Sequence, residues 1–193
     1  MSFLKSLPEG VQIFDVFASR PDVYEPFVQM VERVTRGESP LSRGERELIG
    51  AHVSSLNSCP MCVDIHRTAA KAHGIDVGDV NVLETATATA TATATDNAKL
   101  EPILALVGKL TTTPSKIVQS DVQAVYDAGW NEAALHDAVV VACIAGFMNR
   151  FVFGLGIDSE NAYREAAGRA VEKAGYQSRF QERLAQEEDD AEE

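Results

Sequence analysis

Apolar residues recur along most of the chain at the three- and four-residue spacing that places side chains on one face of an α-helix. One such set is Val23, Phe27, Val31 and Val34. Residues 103–110, "ILALVGKL", have the same spacing. Except in one alanine-threonine tract, no segment alternates apolar and polar residues as a half-buried strand does. The pattern therefore predicts an all-α fold.

Helix boundaries are marked by residues that favour helix ends. Ser42 precedes the helical segment "RGERELIGAHVSS", and Gly74 follows "CPMCVDIHRTAAKAH". Asp121 stands before "VQAVYDA", and Asn131 stands before the long segment "EAALHDAVVVACIAGFMNRFVF". Ser, Asp and Asn are preferred N-caps because their side chains accept hydrogen bonds from free backbone N–H groups, and Gly is preferred just past a helix C-terminus. These signals divide the chain into several helices.

Residues 85–95, "TATATATATAT", are the exception, because they alternate with the period of two that is typical of a strand. Neither residue type supplies a strong apolar face. Alanine favours helix, threonine disfavours it only mildly, and the flanking segments are helical in character. We therefore predict an exposed helix for this tract, with a loop as the alternative.

The composition is that of a globular protein, with 45% hydrophobic and 24% charged residues. The formal net charge is −12, and six of the acids lie in the final "EEDDAEE". Since no cluster of lysine or arginine could neutralise phosphates, nucleic-acid binding is not expected. The N-terminus lacks a secretory pattern, and no apolar run approaches the roughly 20 residues that cross a bilayer. These features predict a soluble cytoplasmic protein without a membrane partner.

The segment "CPMCVDIH" carries the candidate chemistry. If a helix begins near Cys59, Pro60 lies in its first turn, where its missing N–H is tolerated. Cys59, Cys62 and His66 then share one helical face, with both sulfurs near the positive end of the helix dipole. A helix N-terminus and a Cys-X-X-Cys spacing both lower the pKa of a thiol, so this pattern favours a reactive thiolate.

Glu47 lies on the preceding helical segment, twelve residues before Cys59. A turn at "LNS" would fold the two helices antiparallel and allow Glu47 to face His66. Carboxylate, imidazole and thiol would then form a proton relay of the kind used in general acid-base catalysis. We predict Cys62, Cys59, His66 and Glu47 as catalytic residues, with no cofactor and no metal.

Two alternatives to redox chemistry remain open for these residues. Cys59, Cys62 and His66 could be three ligands of a zinc ion, with Glu47 as the fourth, although no second Cys-X-X-Cys or histidine pair completes a closed site. The cysteines could also be inert packing residues. Elsewhere in the chain, His52 is assigned to the surface or to a helix cap, and Cys143 to the interior as a small apolar residue.

Glu47 and the segment "SSLNSCPMCVDIH" together resemble the core motif of the AhpD-type alkylhydroperoxidases in the carboxymuconolactone decarboxylase superfamily. The segment "LSRGERELIGAHVSSLNSC" is similar to the branch called peroxidase-related enzymes. In the second half, "LHDAVVVACIAGFMNRFVFGLG" resembles the closing helix of that branch, with its Asn149–Arg150 pair. The resemblance covers about residues 10–175 and is most specific over 41–74.

The resemblance implies an AhpD-like helical peroxidase domain over residues 1–158. The amphipathic pattern of residues 159–193 predicts a C-terminal extension of one or two helices that ends in an acidic tail. This extension is expected to be a plain surface helix or to cover a neighbouring subunit. The resemblance also implies a homo-oligomer, from dimer to hexamer. Two features depart from the family pattern: Met61 stands where some members have a histidine, and the alanine-threonine tract replaces the usual connecting helix.

The activity that the resemblance implies is a thiol peroxidase cycle with an organic hydroperoxide as substrate. In that cycle Cys62 attacks the peroxide, Cys59 closes the disulfide, Glu47 and His66 relay the proton, and an external thiol or dithiol restores the reduced enzyme. The helix dipole alone would favour Cys59 as the thiolate, whereas His66 lies four residues from Cys62 and seven from Cys59. A non-peroxidase thiol-disulfide oxidoreductase and a zinc-binding structural oligomer are the alternatives.

Overall fold

The computed structural model describes residues 2–6, 10–75, 98–157 and 161–192. The regular secondary structure within these ranges consists of α-helices and one 3₁₀ turn, which confirms the all-α prediction. The α-helices are α1 Ile13–Ala18, α2 Pro21–Arg36, α3 Arg43–Leu56, α4 Pro60–Ala72, α5 Glu101–Thr112, α6 Gln119–Asp127, α7 Glu132–Gly154 and α8 Asn161–Glu192. The alanine-threonine tract 85–95 lies outside the described residues.

The predicted caps explain where the helices begin. Ser42 caps α3, and its hydroxyl accepts a hydrogen bond from the Glu45 N–H, while the Glu45 carboxylate accepts one from the Ser42 N–H. Asn131 caps α7 by accepting from the N–H of Ala134. The predicted N-cap Asp121 was three residues too late, because the N-cap is Val118, α6 begins at Gln119, and Asp121 accepts from the Val118 N–H from inside the first turn.

Helix α3 runs through the middle of the protein and is buried on almost all sides, from Gly44 to Ser55. It packs against α4, α5 and α7, and the apolar side chains between these helices form the main core. Because α3 and α4 are joined by a short turn, they lie side by side and place Glu47 opposite the first two turns of α4. This helix pair is the frame of the candidate site.

Among the described residues, α7 is the one helix whose length and apolar composition would allow it to cross a membrane. It is an exception to the expectation that no apolar segment is long enough, but the evidence is weak because core helices of water-soluble proteins share these properties. One face of α7 packs into the main core. Its opposite face exposes Cys143, Phe147 and Phe153, so the assignment of Cys143 to the interior was wrong.

Helix α8 packs against α4, α2 and α1 of its own chain. Phe180 is fully buried and contacts Phe17 and Val28, which form a second apolar cluster with several aromatic neighbours. Helix α8 is thus an amphipathic helix whose apolar face contributes to the core of its own chain. Homo-oligomerisation stays a prediction.

His52 lies inside the main core rather than on the surface, with an exposed fraction of 0%. Burial lowers the pKa of His52 to about 4, with the Leu104 carbonyl as an opposing, weaker influence. The imidazole is therefore neutral in the folded protein and takes up a proton on unfolding below about pH 6.5. The sequence-based assignment of His52 to the surface was wrong because α3 has no solvent-facing side at this position.

The free energy of unfolding is therefore expected to fall as the pH decreases from about 6.5 to about 4, by roughly 3 kcal/mol from His52 alone. Below pH 6.5 the unfolded state binds a proton that the folded state does not, and this difference disappears only below the folded pKa. Urea unfolding at pH 7.0, 5.5 and 4.5 measures the slope. His52→Leu should flatten it, whereas His136→Gln at an exposed position should keep the wild-type profile. An unchanged slope in His52→Leu would contradict the assignment.

Candidate dithiol site

The two cysteines lie at the start of α4, as predicted. Cys59 is the N-cap and Pro60 is the first helical residue. The turn from α3 places Ser58 in the left-handed region, with φ 54°, and the Cys59 N–H donates to the Ser54 carbonyl oxygen at 2.9 Å. Both thiols are free, both are buried, and their sulfur atoms lie 2.8 Å apart. The site therefore holds a dithiol whose two sulfurs are in direct contact.

The two thiols differ in acidity. A hydrogen bond from Cys62 lowers the pKa of Cys59, and the Cys62 N–H and the charge of His66 add to this effect against the opposing influence of burial. The same hydrogen bond raises the pKa of Cys62 well above its usual value, with burial and the Cys59 charge as further causes. The first ionisation of the pair therefore leaves the negative charge on Cys59 and the remaining proton on Cys62.

Glu47 and His66 form the predicted contact across the α3–α4 pair. The distance from His66 Nδ1 to Glu47 Oε2 is 2.7 Å, and the exposed fractions of the two side chains are 16% and 7%. The imidazole lies directly against the α3 backbone at Gly50, where a Cβ atom would come within 2.8 Å of the ring. Glycine at this position therefore allows the ring to approach α3 closely enough to reach Glu47.

Asn149 of α7 is a further site residue, noted in the sequence only as part of the Asn-Arg pair. Its side chain is 1% exposed; it donates a hydrogen bond to Ser54 Oγ at 3.0 Å and accepts one from Asn57 Nδ2 at 2.9 Å. Asn149 also adds to the lowering of the Cys59 pKa and partly opposes the rise of the Cys62 pKa. One indication of this role was present in the sequence: Asn149 is a polar residue in an otherwise apolar stretch of α7, and a buried amide needs hydrogen-bond partners.

A cavity of about 90 Å³ lies against the dithiol. Most of its wall is apolar, with side chains from α1, α2, α4, α7 and α8. Cys62, Glu47 and His66 also line the cavity, whereas Cys59 does not. A small molecule in this cavity would therefore contact Cys62 and not Cys59. A space of this size accommodates several waters or a small organic group.

The described side chains do not form a metal-binding geometry at this site. Across the part of the chain that the structure describes, no group of three or more His, Cys, Asp or Glu side chains is arranged to hold a metal ion. Glu47 contacts His66 through Nδ1, and the cysteines contact each other, so the four residues form two pairs. This arrangement suits proton transfer and thiol chemistry.

Comparisons with known proteins agree with the resemblance seen in the sequence. Residues 21–102 match the model of the carboxymuconolactone decarboxylase family, and this range includes Glu47, Cys59, Cys62 and His66. The uncharacterized protein YdfG of Bacillus subtilis is 24% identical over 156 residues, which are 81% of this chain and 93% of YdfG.

Two solved structures have a similar fold. An uncharacterized peroxidase-related protein from Silicibacter sp. TM1040 superposes with a TM-score of 0.68 at 24% identity, over 79% of this chain and 78% of that one. A second peroxidase-related protein with an alkylhydroperoxidase AhpD core, from Ralstonia eutropha JMP134, has a TM-score of 0.65 at 21% identity, over 80% of this chain and 78% of that one. At these identities the likeness concerns the fold, which is AhpD-like.

Proposed function

We propose that this chain, a member of the carboxymuconolactone decarboxylase superfamily with an AhpD-like fold, is a thiol-dependent peroxidase that reduces organic hydroperoxides. One observation carries the proposal: Cys62, in contact with Cys59, lines the same small cavity as the Glu47–His66 pair. A nucleophilic sulfur, a resolving sulfur and a proton donor thus meet where a small substrate would bind. The peroxidase-related names of the two structural neighbours point in the same direction.

The first step of the proposed cycle oxidises Cys62. The Cys62 proton passes to the Cys59 thiolate along the hydrogen bond between the sulfurs, and the Cys62 thiolate attacks the terminal peroxide oxygen. The O–O bond breaks, the sulfur loses two electrons and becomes a sulfenic acid, and the other oxygen leaves as an alkoxide. The His66 imidazolium, paired with Glu47, gives this alkoxide its proton, so that an alcohol is released.

The second step forms the disulfide. Cys59 attacks the Cys62 sulfur, and the hydroxide that leaves takes up the Cys59 proton to give water. Two thiols and one hydroperoxide are thereby converted into a disulfide, an alcohol and water. An external thiol or dithiol then reduces the disulfide and closes the cycle.

A thiol-disulfide oxidoreductase without peroxidase activity is the second candidate. The lowered pKa of Cys59 favours it, because the first cysteine is the more reactive one in thioredoxin-like Cys-X-X-Cys sites. Against it, Cys59 is only 1% exposed and does not line the cavity, so a protein disulfide has no direct path to its sulfur.

The proposal predicts that the reduced protein forms a Cys59–Cys62 disulfide when it is mixed with one equivalent of cumene hydroperoxide. Peptide mass spectrometry measures the disulfide, and a colorimetric peroxide assay measures consumption of the substrate. Cys143→Ser is the suitable background, because it removes the exposed third thiol. Recovery of both thiols unmodified while peroxide persists would rule out the peroxidase. Zinc retained in near-stoichiometric amount after dialysis would favour the metal-binding alternative.

A further inference from the structure

Helix α8 is broken at Gly175, and the break brings a tyrosine to the cavity. Gly175 has φ 87° and ψ 171°, a conformation that is essentially restricted to glycine. The next residue, Tyr176, lines the cavity. A straight helix through residue 175 would continue in the direction of the first segment, so the break determines where Tyr176 lies.

Glu32 and Arg36 of α2 hold the two halves of α8 at this break. The Glu32 carboxylate accepts hydrogen bonds from the N–H groups of Tyr176 at 2.7 Å and Gln177 at 3.3 Å, at the start of the second half. Arg36 Nη1 donates to the carbonyl oxygens of Val171 at 3.1 Å and Glu172 at 2.9 Å, near the end of the first half. A negative charge thus lies at a helix N-terminus and a positive charge at a helix C-terminus, which is the favourable arrangement for both dipoles.

Glu32 and Arg36 also bind each other, with 3.2 Å between Arg36 Nε and Glu32 Oε1. A Cβ atom at Gly175 would lie 2.6 Å from both Glu32 carboxylate oxygens. The break is therefore fixed from two sides, by an ion pair on α2 and by a residue that must be glycine. These contacts fix the position of Tyr176 relative to α2 and the dithiol.

The cavity has two tyrosines, and they lie in different electrostatic surroundings. Tyr176 lines the cavity together with Cys62 and Glu47, and the charges that act on its pKa are those of Glu47, Cys62, Glu32 and Arg36. Tyr163 interacts with Arg179 and Asp15, which line a separate polar pocket near α1. Because Tyr176 lines the cavity together with Cys62, Glu47 and His66, a molecule bound there would meet its side chain.

We propose that Tyr176 is a catalytic residue of the peroxidase proposed above, and that its hydroxyl donates a hydrogen bond to the leaving oxygen of the hydroperoxide. As Cys62 attacks, negative charge develops on this oxygen inside a largely apolar cavity. The tyrosine stabilises that charge and keeps its own proton, while His66 supplies the proton that completes the alcohol. A positioned donor in a water-poor site is effective because it needs no reorganisation during the reaction.

The ionisation of Tyr176 agrees with this role. Burial raises the pKa of Tyr176 well above its usual value. The negative charges of Glu47 and Glu32 add to this effect, as does Cys62 when it is ionised, and Arg36 opposes them. The phenol is therefore protonated throughout the neutral pH range. A protonated phenol can donate a hydrogen bond, whereas a phenolate could not.

Tyr176→Phe tests the proposal, with Tyr126→Phe, in α6 and outside the cavity wall, as the matched control. The rate of Cys59–Cys62 disulfide formation is measured after mixing the reduced full-length protein with cumene hydroperoxide and, separately, with the chemical oxidant diamide. Tyr176→Phe should react about 10- to 100-fold more slowly with the peroxide and at the wild-type rate with diamide. Tyr126→Phe should match the wild type with both oxidants. Equal peroxide rates for all three proteins would overturn the proposal.

A second variant tests hydrogen-bond donation directly, and the reaction of the wild type with diamide separates the role of Tyr176 from the proposed function. Tyr176→His replaces the hydroxyl with a ring N–H donor and should therefore react with peroxide faster than Tyr176→Phe. A rate as low as that of Tyr176→Phe would contradict hydrogen-bond donation. If Tyr176→Phe does not fold, Tyr176→His is compared with Tyr176→Leu in the same way. A wild-type protein that reacts with diamide but not with peroxide would overturn the proposed function itself, and the role of Tyr176 with it.

Discussion

Cys62→Ser is expected to lower the rate of peroxide reduction by at least about 10³-fold, whereas Cys59→Ser should stop the reaction at a sulfenic acid on Cys62. The reason is access: Cys62 lines the cavity and Cys59 does not. Without Cys59 no second sulfur lies in contact with Cys62 to close the disulfide. Trapping with dimedone followed by peptide mass spectrometry locates the sulfenic acid, and peroxide consumption gives the rate.

Acidity and access favour different cysteines as the attacking sulfur. The lower pKa of the pair belongs to Cys59, which on acidity alone would be the attacking sulfur. Attack by Cys62 requires transfer of its proton to Cys59 across the 2.8 Å contact between the sulfurs. We expect access to outweigh acidity, because Cys62 lines the cavity whereas Cys59 is 1% exposed and does not. Rapid formation of a sulfenic acid on Cys59 in Cys62→Ser would reverse the assignment and favour the thioredoxin-like alternative.

The frame of the site could be predicted from the sequence because it depends on local rules. Cys59, Cys62 and His66 share a face through helical periodicity alone, and Pro60 marks the start of the helix. The Glu47–His66 contact follows once a short turn makes α3 and α4 antiparallel. Each of these features needs only the spacing of residues within about 20 positions.

The parts that could not be predicted depend on contacts between helices distant in the sequence. The N–H of Tyr176 and its partner Glu32 are 144 positions apart, and no local pattern indicates that α8 lies over the dithiol. Cys143 and His52 were assigned to the wrong environments for the same reason. Periodicity defines the apolar face of a helix, but it does not show whether the other face meets solvent, as at Cys143, or another helix, as at His52.

Glu47→Gln is expected to slow the peroxide-dependent step by about 10²- to 10⁴-fold while leaving disulfide formation by diamide unchanged. The Glu47 carboxylate lies 2.7 Å from His66 Nδ1 and is almost completely buried, so its negative charge is next to the ring that protonates the leaving oxygen in the proposed cycle. A glutamine of nearly the same shape keeps the packing but has no charge to stabilise the imidazolium. Disulfide formation with each oxidant, followed as for the tyrosine variants, measures both rates.

Gly50→Ala perturbs the same relay without changing either titratable group. Because the added Cβ atom would come within 2.8 Å of the His66 ring, the ring must move away from α3 and from Glu47. The variant should therefore show the same selective loss, with slow oxidation by peroxide and normal oxidation by diamide, whereas Glu38→Gln at an exposed position should behave like the wild type. If Glu47→Gln and Gly50→Ala both retained full peroxide reactivity, His66 would not be the proton donor, and the leaving oxygen would have to take its proton from another group of the cavity wall.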